Sequence, residues 1–295
     1  MSTVEWYTGL NNFKKHTLES NSFNLEIIDQ DFEQGRPLDI IICDNLKNLN
    51  NHFEVLYSGG IDSEFVLYSL VKNKIPVTAV TMIIKVKDCI VNTHDLYYAE
   101  KFCRQNNIKQ VFHTLEVEDF FKSGEYENYL TPYQIIQPHV ATHFWLIEKC
   151  SSFPIIGGDW PWVQCHLEHK KLSPFKLDYA CYERFMSDKN IQGIGNMLSY
   201  SYEIAYTLSE KQMLSPFNKM GSFDEINILK QNLFPLLESR TKSYGWERFS
   251  RGIFNITQYH LELIKKVGFI KNSITWGNKY KTLINSNTYT HDKFK

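Results

Sequence analysis

The stretch from residue 57 to residue 63, YSGGIDS, constrains the fold of this 295-residue chain more than any other feature. It follows the apolar run 53–56 and precedes a helix-like run at 64–72. A strand, a tight glycine turn and a helix start would bring several backbone N–H groups to one point, at the positive end of the helix dipole. The pattern therefore predicts a binding site for an anion such as a phosphate.

Each residue type in this turn has a predicted role. The two glycines let the backbone approach the anion closely, and the two serine hydroxyls are candidate hydrogen-bond donors. Asp62 is a candidate ligand for a divalent cation, through its carboxylate or a bound water. No Gly-Lys-Ser/Thr sequence follows the glycines, so the turn is not a Walker loop. The predicted binding residues are Ser58, Gly59, Gly60, Ile61, Asp62 and Ser63.

The residues after this turn alternate between strand-like and helix-like runs. The run 76–84 is rich in β-branched residues and predicts a buried parallel strand, residues 93–107 predict a helix, and residues 110–115 predict a third strand. This alternation favours an α/β fold with a parallel, Rossmann-like sheet and right-handed crossovers. Ligands of such sheets bind beyond the carboxyl ends of the strands, where the glycine turn is predicted to lie.

Three regions are predicted along the chain. Residues 1–37 form an N-terminal segment with little pattern, and residues 38–165 form the α/β core. Beyond residue 165 the strand pattern fades, which predicts a largely helical region, 166–295, that packs against the strand ends and completes the site. The helix-like runs in this region are 179–186, 198–209, 223–233 and 258–267.

The YSGGIDS turn resembles the SGGxDS loop of the PP-loop ATP pyrophosphatases, with all fixed positions of the motif matched. This superfamily has an adenine nucleotide alpha-hydrolase-like fold and includes asparagine, β-lactam, NAD and GMP synthetases and tRNA-modifying ligases. The resemblance implies an enzyme that cuts ATP between its α and β phosphates and transfers AMP to a substrate oxygen. It also implies that the loop and Mg²⁺ hold the leaving pyrophosphate, with Asp62 as a metal ligand and catalytic residue.

An adenine contact is predicted on the second strand. Thr81 and Met82 lie toward the end of the run 76–84, and a parallel sheet brings that end close to the glycine turn. We therefore expect the backbone of these two residues to face the adenine edge, which the resemblance also implies.

A second turn is predicted where the apolar run 153–156 ends in Gly157, Gly158 and Asp159. This stretch resembles the second loop of asparagine synthetases, in which an apolar strand precedes Ser-Gly and an acidic cluster. The match is incomplete, because a Trp-Pro-Trp sequence at 160–162 stands where that family has a further glycine and an Asp-Glu pair. Gly158 is predicted to bind the nucleotide and Asp159 to bind magnesium at the pyrophosphate.

The segment 234–245 resembles the C-terminal segment of asparagine and β-lactam synthetases, where a proline-led helix precedes an Arg-x-Lys sequence. Arg240 and Lys242 match that sequence. The resemblance makes Lys242 the cation that stabilises the charge developing on the phosphates. The alternative is a surface Arg-Lys pair, because the chain from Arg240 onward carries eleven basic residues against three acidic ones.

Composition argues against several classes of protein. A net charge of −1 at pH 7 argues against wholesale binding to nucleic acids or membranes. The sequence contains no run of about eighteen apolar residues, so no membrane span is predicted. The six cysteines contain no CxxC pair, which indicates reduced thiols, and the N-terminus has no signal-like pattern. These features predict a cytoplasmic protein.

Two other chemistries are weaker alternatives. His139 and His143 have i, i+4 spacing and could share a metal ion with Cys165, His166 and His169, but the spacing matches no zinc finger. The cysteines could carry a persulfide, although the paired cysteines of thiolating relatives are absent.

Within the superfamily, the nearest resemblance is to the synthetase domain of asparagine and β-lactam synthetases. No glutaminase domain is expected, since Ser2 follows Met1 where such domains need a cysteine. We therefore expect an AMP-forming ligase that uses ATP and Mg²⁺ to activate a carboxylate or amide oxygen of a small molecule. Nitrogen would come from ammonia, an amine or a separate donor protein.

The sequence leaves two further functions open. One is a tRNA- or nucleobase-modifying ligase whose basic C-terminal segment contacts RNA. The other is a nucleotide-binding module without catalysis. Within residues 124–139, where the related synthetases supply an acid or base, no residue stands out for that role.

Overall fold

The computed structural model describes residues 13–17, 23–27, 35–49, 52–133, 135, 137–158, 165–166, 171–172, 176–177, 180–201, 203–204, 207–208 and 257–267. The strands are β1 (Phe13–Thr17), β2 (Phe23–Ile27), β3 (Phe53–Leu56), β4 (Val77–Val86), β5 (Cys89–Ile90), β6 (Lys109–Glu116), β7 (Phe153–Ile156), β8 (Cys165–His166), β9 (Lys171–Leu172) and β10 (Lys176–Leu177). The helices are α1 (Leu38–Leu46), α2 (Ile61–Lys72), α3 (Thr93–Gln105), α4 (Val117–Lys122), α5 (Glu125–Leu130), α6 (Pro138–Ile147), α7 (Ala180–Asp188) and α8 (Thr257–Val267).

A mostly parallel sheet of five strands organises the fold. Strands β3, β4, β6 and β7 are parallel, and only the short β5 pairs antiparallel to the end of β4. Across the sheet the parallel strands lie in the order β6-β4-β3-β7, which is 3-2-1-4 in chain order. The predicted α/β fold with a parallel, Rossmann-like sheet is confirmed. The order reverses between β3 and β7, and ligands of such sheets bind at this reversal.

Helices cover both faces of the sheet. One face carries α1, α2 and α3, and side chains such as Phe53, Val55 and Ala79 point into that core. The other face carries α4 to α8, and it receives side chains such as Leu56 and Val80. Adjacent residues of β3 and of β4 thus enter opposite cores, because side chains alternate along a strand. Burial on both faces explains why these strands have continuous apolar runs.

The C-terminal region differs in part from the sequence prediction. The helices predicted at 179–186 and 258–267 are confirmed as α7 and α8, but three short strands lie between residues 165 and 177. Of these, β10 joins β2 of the predicted N-terminal segment in an antiparallel sheet. The predicted helix at 223–233 lies outside the described residues. Among the helices that the structure describes, none is long and apolar enough to cross a membrane.

A buried carboxylate joins the start of β3 to the turn before β7. Glu54 is 6% exposed and accepts hydrogen bonds from the Ser151 backbone N–H (2.7 Å), the Ser151 hydroxyl (2.9 Å) and the Ser152 backbone N–H (3.0 Å). Burial alone would raise the pKa of Glu54, but these hydrogen bonds outweigh it and hold the pKa below its ordinary value. The charged form of Glu54 therefore stabilises the pairing of the two strands.

We expect Glu54→Gln to lower the free energy of unfolding by about 1–3 kcal/mol at pH 7, because an amide cannot accept all three hydrogen bonds. A lowered pKa in the folded state gives stability that is present above the ordinary value of 4.5 and is lost as the pH falls below it. Urea unfolding at pH 7 and at pH 4 should show that the variant has lost this acid-side dependence. The variant Glu100→Gln, at an exposed position of α3, is the control and should change stability little; an equal effect of both variants would contradict the prediction.

Candidate functional site

Two glycine turns follow the neighbouring strands β3 and β7. Leu56 and Ile156 are paired in register, so both turns leave the sheet at the same level. The first turn, residues 57–60, leads directly into α2. The second contains Gly157 and Gly158. Because the strand order reverses between β3 and β7, both turns open into the crevice where sheets of this type bind ligands.

Gly59 and Gly60 have different reasons to be glycine. Gly59 has φ +79°, and a Cβ there would overlap the carbonyl oxygen of Asp95 and lie 3.3 Å from the backbone nitrogen of Ala99, both in α3. Gly60 has φ −79°, which any residue adopts. Among the described residues, a Cβ on Gly60 would meet only the Ser58 Oγ, at 3.1 Å. Gly59 therefore packs the turn against α3, whereas Gly60 leaves open space beside it.

The side chains of the first turn bind mostly to the turn itself. The Gly60 N–H donates to the Ser58 Oγ (3.3 Å), and the Ser63 hydroxyl donates to the Gly60 carbonyl oxygen (3.1 Å). The Ser63 hydroxyl hydrogen thus stabilises the helix start, which differs from the predicted role of a donor to the ligand. Ile61 is buried in the core, so only its backbone faces the turn. Asp62 is half-buried in the first turn of α2.

The second turn packs closely against the start of α2. A Cβ on Gly157 would lie 2.9 Å from the Ser63 backbone nitrogen and 3.1 Å from the Asp62 carbonyl carbon. The first distance is shorter than real Cβ contacts and the second is tighter than most of them, so glycine is what allows this approach. The structure therefore brings together the predicted residues Asp62 and Ser63 and the turn that contains Gly158.

A buried polar pair that the sequence analysis missed supports the first turn. The Tyr57 hydroxyl donates to the Glu64 carboxylate, and both residues are 1% exposed. Tyr57 ends the strand side of the turn and Glu64 lies in the first turn of α2, so the pair ties the two ends together. The Tyr57 ring also contacts Phe102 of α3 edge-on, with 5.8 Å between ring centroids. The sequence signal that could have predicted this hydrogen bond is a tyrosine and a glutamate seven positions apart on either side of a glycine turn.

Thr81 and Met82 lie in the middle of β4, because the strand runs on to Val86. The prediction that the strand ends near these residues is wrong. They do lie beside the first turn, since the Tyr57 N–H donates to the Val80 carbonyl oxygen (2.8 Å) and the Thr81 hydroxyl donates to the Tyr57 carbonyl oxygen (2.9 Å). Their contact with adenine stays a prediction.

Asn92 binds the edge of β4 where the adenine was predicted. Its Nδ2 donates to the Met82 carbonyl oxygen (2.8 Å), and its Oδ1 accepts from the Ile84 N–H (2.9 Å). The Val91 N–H donates to the Ile84 carbonyl oxygen as well (2.9 Å). Asn92 thus acts as a short partner strand beyond the end of β3. The sequence predicts a helix from residue 93 and gives no sign of this role of the preceding residue.

Asn196 lies against the second turn and was not predicted. Gly158 has φ +81°, and a Cβ there would overlap the side-chain amide of Asn196 and lie 2.9 Å from its Cα. The Leu198 N–H donates to the Gly157 carbonyl oxygen (3.1 Å), which holds the same segment to the turn. No pattern in the sequence marks this asparagine as part of the site, since it reaches the turn only through the fold.

Two predicted site residues, Asp159 and Lys242, lie outside the described residues, and their roles stay predictions. In the part of the chain that the structure describes, no group of three or more His, Cys, Asp or Glu side chains could hold a metal ion. Nδ1 of His143 lies 2.6 Å from the Tyr182 hydroxyl. Burial lowers the pKa of His143 to about 4, so its ring is neutral at pH 7.

Three of the cysteines are poor nucleophiles. Burial raises the pKa of the thiols of Cys43, Cys103 and Cys150 to about 12, which leaves them protonated at neutral pH. The thiolate is the reactive form of cysteine, so persulfide chemistry finds no support at these three positions.

No family model and no curated protein sequence matches the chain. Among solved structures it is similar to a predicted subunit of a tRNA methyltransferase from Methanocaldococcus jannaschii, with 21% identity and a TM-score of 0.32 over 55% of this chain and 75% of that one. It is also similar to the U34-tRNA thiolase NcsA from Methanococcus maripaludis, solved with its 4Fe-4S cluster (13% identity, TM-score 0.34, 80% of this chain and 81% of that one). A third similar structure is the NMN synthetase from Francisella tularensis, with 12% identity and a TM-score of 0.31 over 81% of this chain and 98% of that one. Similarities at these TM-scores assign neither substrate nor reaction.

Proposed function

We propose that this chain is an ATP-dependent, AMP-forming ligase. The observation that carries the proposal is the meeting of two glycine turns at the N-terminus of the 12-residue helix α2, at the reversal of strand order. The open space beside Gly60 lies at this point. Within the described chain, only the Ser58 Oγ lies close to the position of a Cβ on Gly60, so packing does not explain why this residue is glycine. A turn of this kind fits phosphate groups, which approach backbone N–H groups closely.

In the proposed reaction, a substrate oxygen attacks the α phosphorus of ATP. The bond from that phosphorus to the bridging oxygen breaks, and pyrophosphate leaves with the bonding electrons. The positive end of the α2 dipole and the backbone N–H groups at its start face the leaving group in this proposal and stabilise its charge. A nitrogen nucleophile then displaces AMP from the activated substrate.

The carboxylate of Asp62 fits a magnesium ligand, because it is half-buried in the first turn of α2, beside the proposed phosphate position. Mg²⁺ bound there, with Asp159 as a second proposed ligand, would neutralise phosphate charge. Lys242 is the proposed cation for the same charge. The acceptor is proposed to be a small carboxylic acid or amide, with the nitrogen from ammonia, an amine or a donor protein.

The direct test is AMP and pyrophosphate formation from Mg-ATP with a panel of carboxylic acids and amines. We expect substrate-dependent release of both products, and a loss of about 100-fold or more in Asp62→Ala, because a fixed charge at the phosphates is removed. ATP binding without pyrophosphate release for any substrate would instead favour a nucleotide-binding module.

Gly60→Ala tests whether the space beside the first turn belongs to the ligand. The variant should fold with an unchanged unfolding temperature, because φ −79° suits alanine and a Cβ would meet only the Ser58 side chain. ATP binding should weaken by about tenfold or more, because the methyl group occupies the position of the phosphate. Calorimetric titration with Mg-ATP measures this effect; unchanged affinity would place the phosphates elsewhere.

A tRNA- or nucleobase-modifying ligase is the second candidate, favoured by the excess of eleven basic over three acidic residues from Arg240 onward. This function predicts RNA binding that weakens steeply as salt rises, because the bound RNA releases counterions. A ligase for small molecules predicts no such dependence. Filter binding of bulk tRNA between 50 and 200 mM salt, a range of about fourfold over which phosphate contacts have large effects, separates the two.

A further inference from the structure

The buried side chain of Asn196 has no hydrogen-bond partner in the described chain. The residue is 5% exposed, and both its Nδ2 and its Oδ1 lack a partner there. Although Asn196 precedes the 3-10 turn Met197–Ser199, its side chain does not cap that turn. A buried amide left unsatisfied is costly, so such a group in a native protein calls for a partner, such as a ligand, an ion or an ordered water.

The backbone around Asn196 is held firmly to the sheet. The Ile194 N–H donates to the Pro154 carbonyl oxygen (2.9 Å), and the Ile156 N–H donates to the Ile194 carbonyl oxygen (2.9 Å). These bonds place the segment along the open side of β7, opposite β3. The backbone segment that carries Asn196 is therefore placed by the sheet and not by a hydrogen bond of the Asn196 side chain.

A short series of contacts connects this amide to the start of α2. The amide lies against Gly158, and the adjacent Gly157 lies against the backbone of Asp62 and Ser63. Gly158 has no side chain that would separate the amide from the turn. The unsatisfied group thus lies beside the second turn, at the carboxyl end of β7, and this turn itself contacts the start of α2.

We propose that Asn196 is a binding residue whose Nδ2 donates a hydrogen bond to the pyrophosphate part of ATP. This inference rests on the proposed function, because it assigns a further residue to the same site. An amide donor suits this position, since it adds a hydrogen bond to an anionic oxygen without the repulsion that a carboxylate would cause. The ligand class is a nucleoside triphosphate or inorganic pyrophosphate.

Asn196→Asp and Asn196→Leu test the proposal together. Aspartate has the same shape but adds a negative charge, and leucine removes all hydrogen bonding. If the amide donates to pyrophosphate, both variants should bind Mg-ATP and inorganic pyrophosphate at least about tenfold more weakly, and AMP nearly as well as the unchanged protein. If Oδ1 instead binds a metal ion, Asn196→Asp should keep or improve binding, which would overturn the proposal.

Stability separates binding from a structural role. The unfolding temperature of Asn196→Leu should not fall, because no described residue loses a hydrogen bond. The matched control is Asn45→Asp, at another buried amide, whose Nδ2 donates to the Ile41 carbonyl oxygen within α1 (2.7 Å). This control should lose stability and keep its affinity for pyrophosphate.

The outcomes distinguish this inference from the proposed function. If the unchanged protein binds neither Mg-ATP nor pyrophosphate, both fail. If it binds both ligands and the Asn196 variants bind equally well, only the inference fails. A lowered unfolding temperature of Asn196→Leu with unchanged affinity would identify the amide as a structural partner and would also overturn the inference.

Discussion

Replacing Gly59 with alanine is expected to lower the free energy of unfolding by about 3 kcal/mol and to abolish ATP binding. Two effects add. A side chain at φ +79° is strained, and its Cβ would overlap the Asp95 carbonyl oxygen in the first turn of α3. Because the obstacle is backbone, no change of rotamer relieves it, and the turn must move away from α3. Movement of the turn displaces the N–H groups that are proposed to hold the phosphates.

Gly124→Ala is the matched control for Gly59→Ala. Gly124 has nearly the same φ, +80°, but a Cβ there meets nothing within 4 Å. The control therefore carries only the cost of the left-handed conformation, about 1–2 kcal/mol. Urea unfolding of both variants isolates the contact with α3 as the difference between them. Equal losses of stability in the two variants would show that the approach of the turn to α3 contributes nothing.

Replacing Gly157 with alanine is expected to reduce ATP turnover by about 100-fold with a loss of stability of about 1–3 kcal/mol. Backbone strain is not the cause of this loss, because Gly157 is not among the glycines with positive φ, the conformation that disfavours a side chain. The new Cβ would instead lie 2.9 Å from the Ser63 backbone nitrogen and push the second turn away from α2. A shift of about 1 Å at reacting groups has effects of this size on rate.

The control for Gly157→Ala is Gly193→Ala, which crowds the same strand from its other side. A Cβ on Gly193 would lie 2.6 Å from the Met186 Sδ and 2.8 Å from the Pro154 carbonyl oxygen, and none of its three nearest atoms belongs to α2. We expect a similar loss of stability and a smaller loss of pyrophosphate release. Equal losses of activity in both variants would show that crowding of β7, and not the spacing between the turns, governs the rate.

The sequence predicted the first turn well because its information is local. Alternating apolar runs predicted β3, β4, α3, β6 and β7, and each lies within a few residues of its predicted position. The roles of the two serines were harder to predict, because a hydroxyl can donate to a ligand or to its own turn. The Ser63 hydroxyl donates to the Gly60 carbonyl oxygen, which only the conformation of the turn decides.

The distant partners of the turn could not be predicted. In the sequence, Gly59 and Gly157 look like ordinary turn glycines. Only the structure shows that Gly59 lies against α3 and Gly157 against the Ser63 backbone. The bridge from Asn92 to β4 depends on which segments the fold brings together. Asn196 is about forty residues from the second turn along the chain, and only pairing with β7 brings it there.

The sequence by itself determined the strand, the glycine turn and the helix start, because these follow from residue periodicity and from the freedom of glycine. Only the tertiary structure decided that β3 and β7 are neighbours and that the second turn approaches α2 closely enough to require glycine. The physical reason is that hydrogen bonds between strands and the exclusion of overlapping atoms act between residues about one hundred positions apart. No local pattern records contacts at that separation.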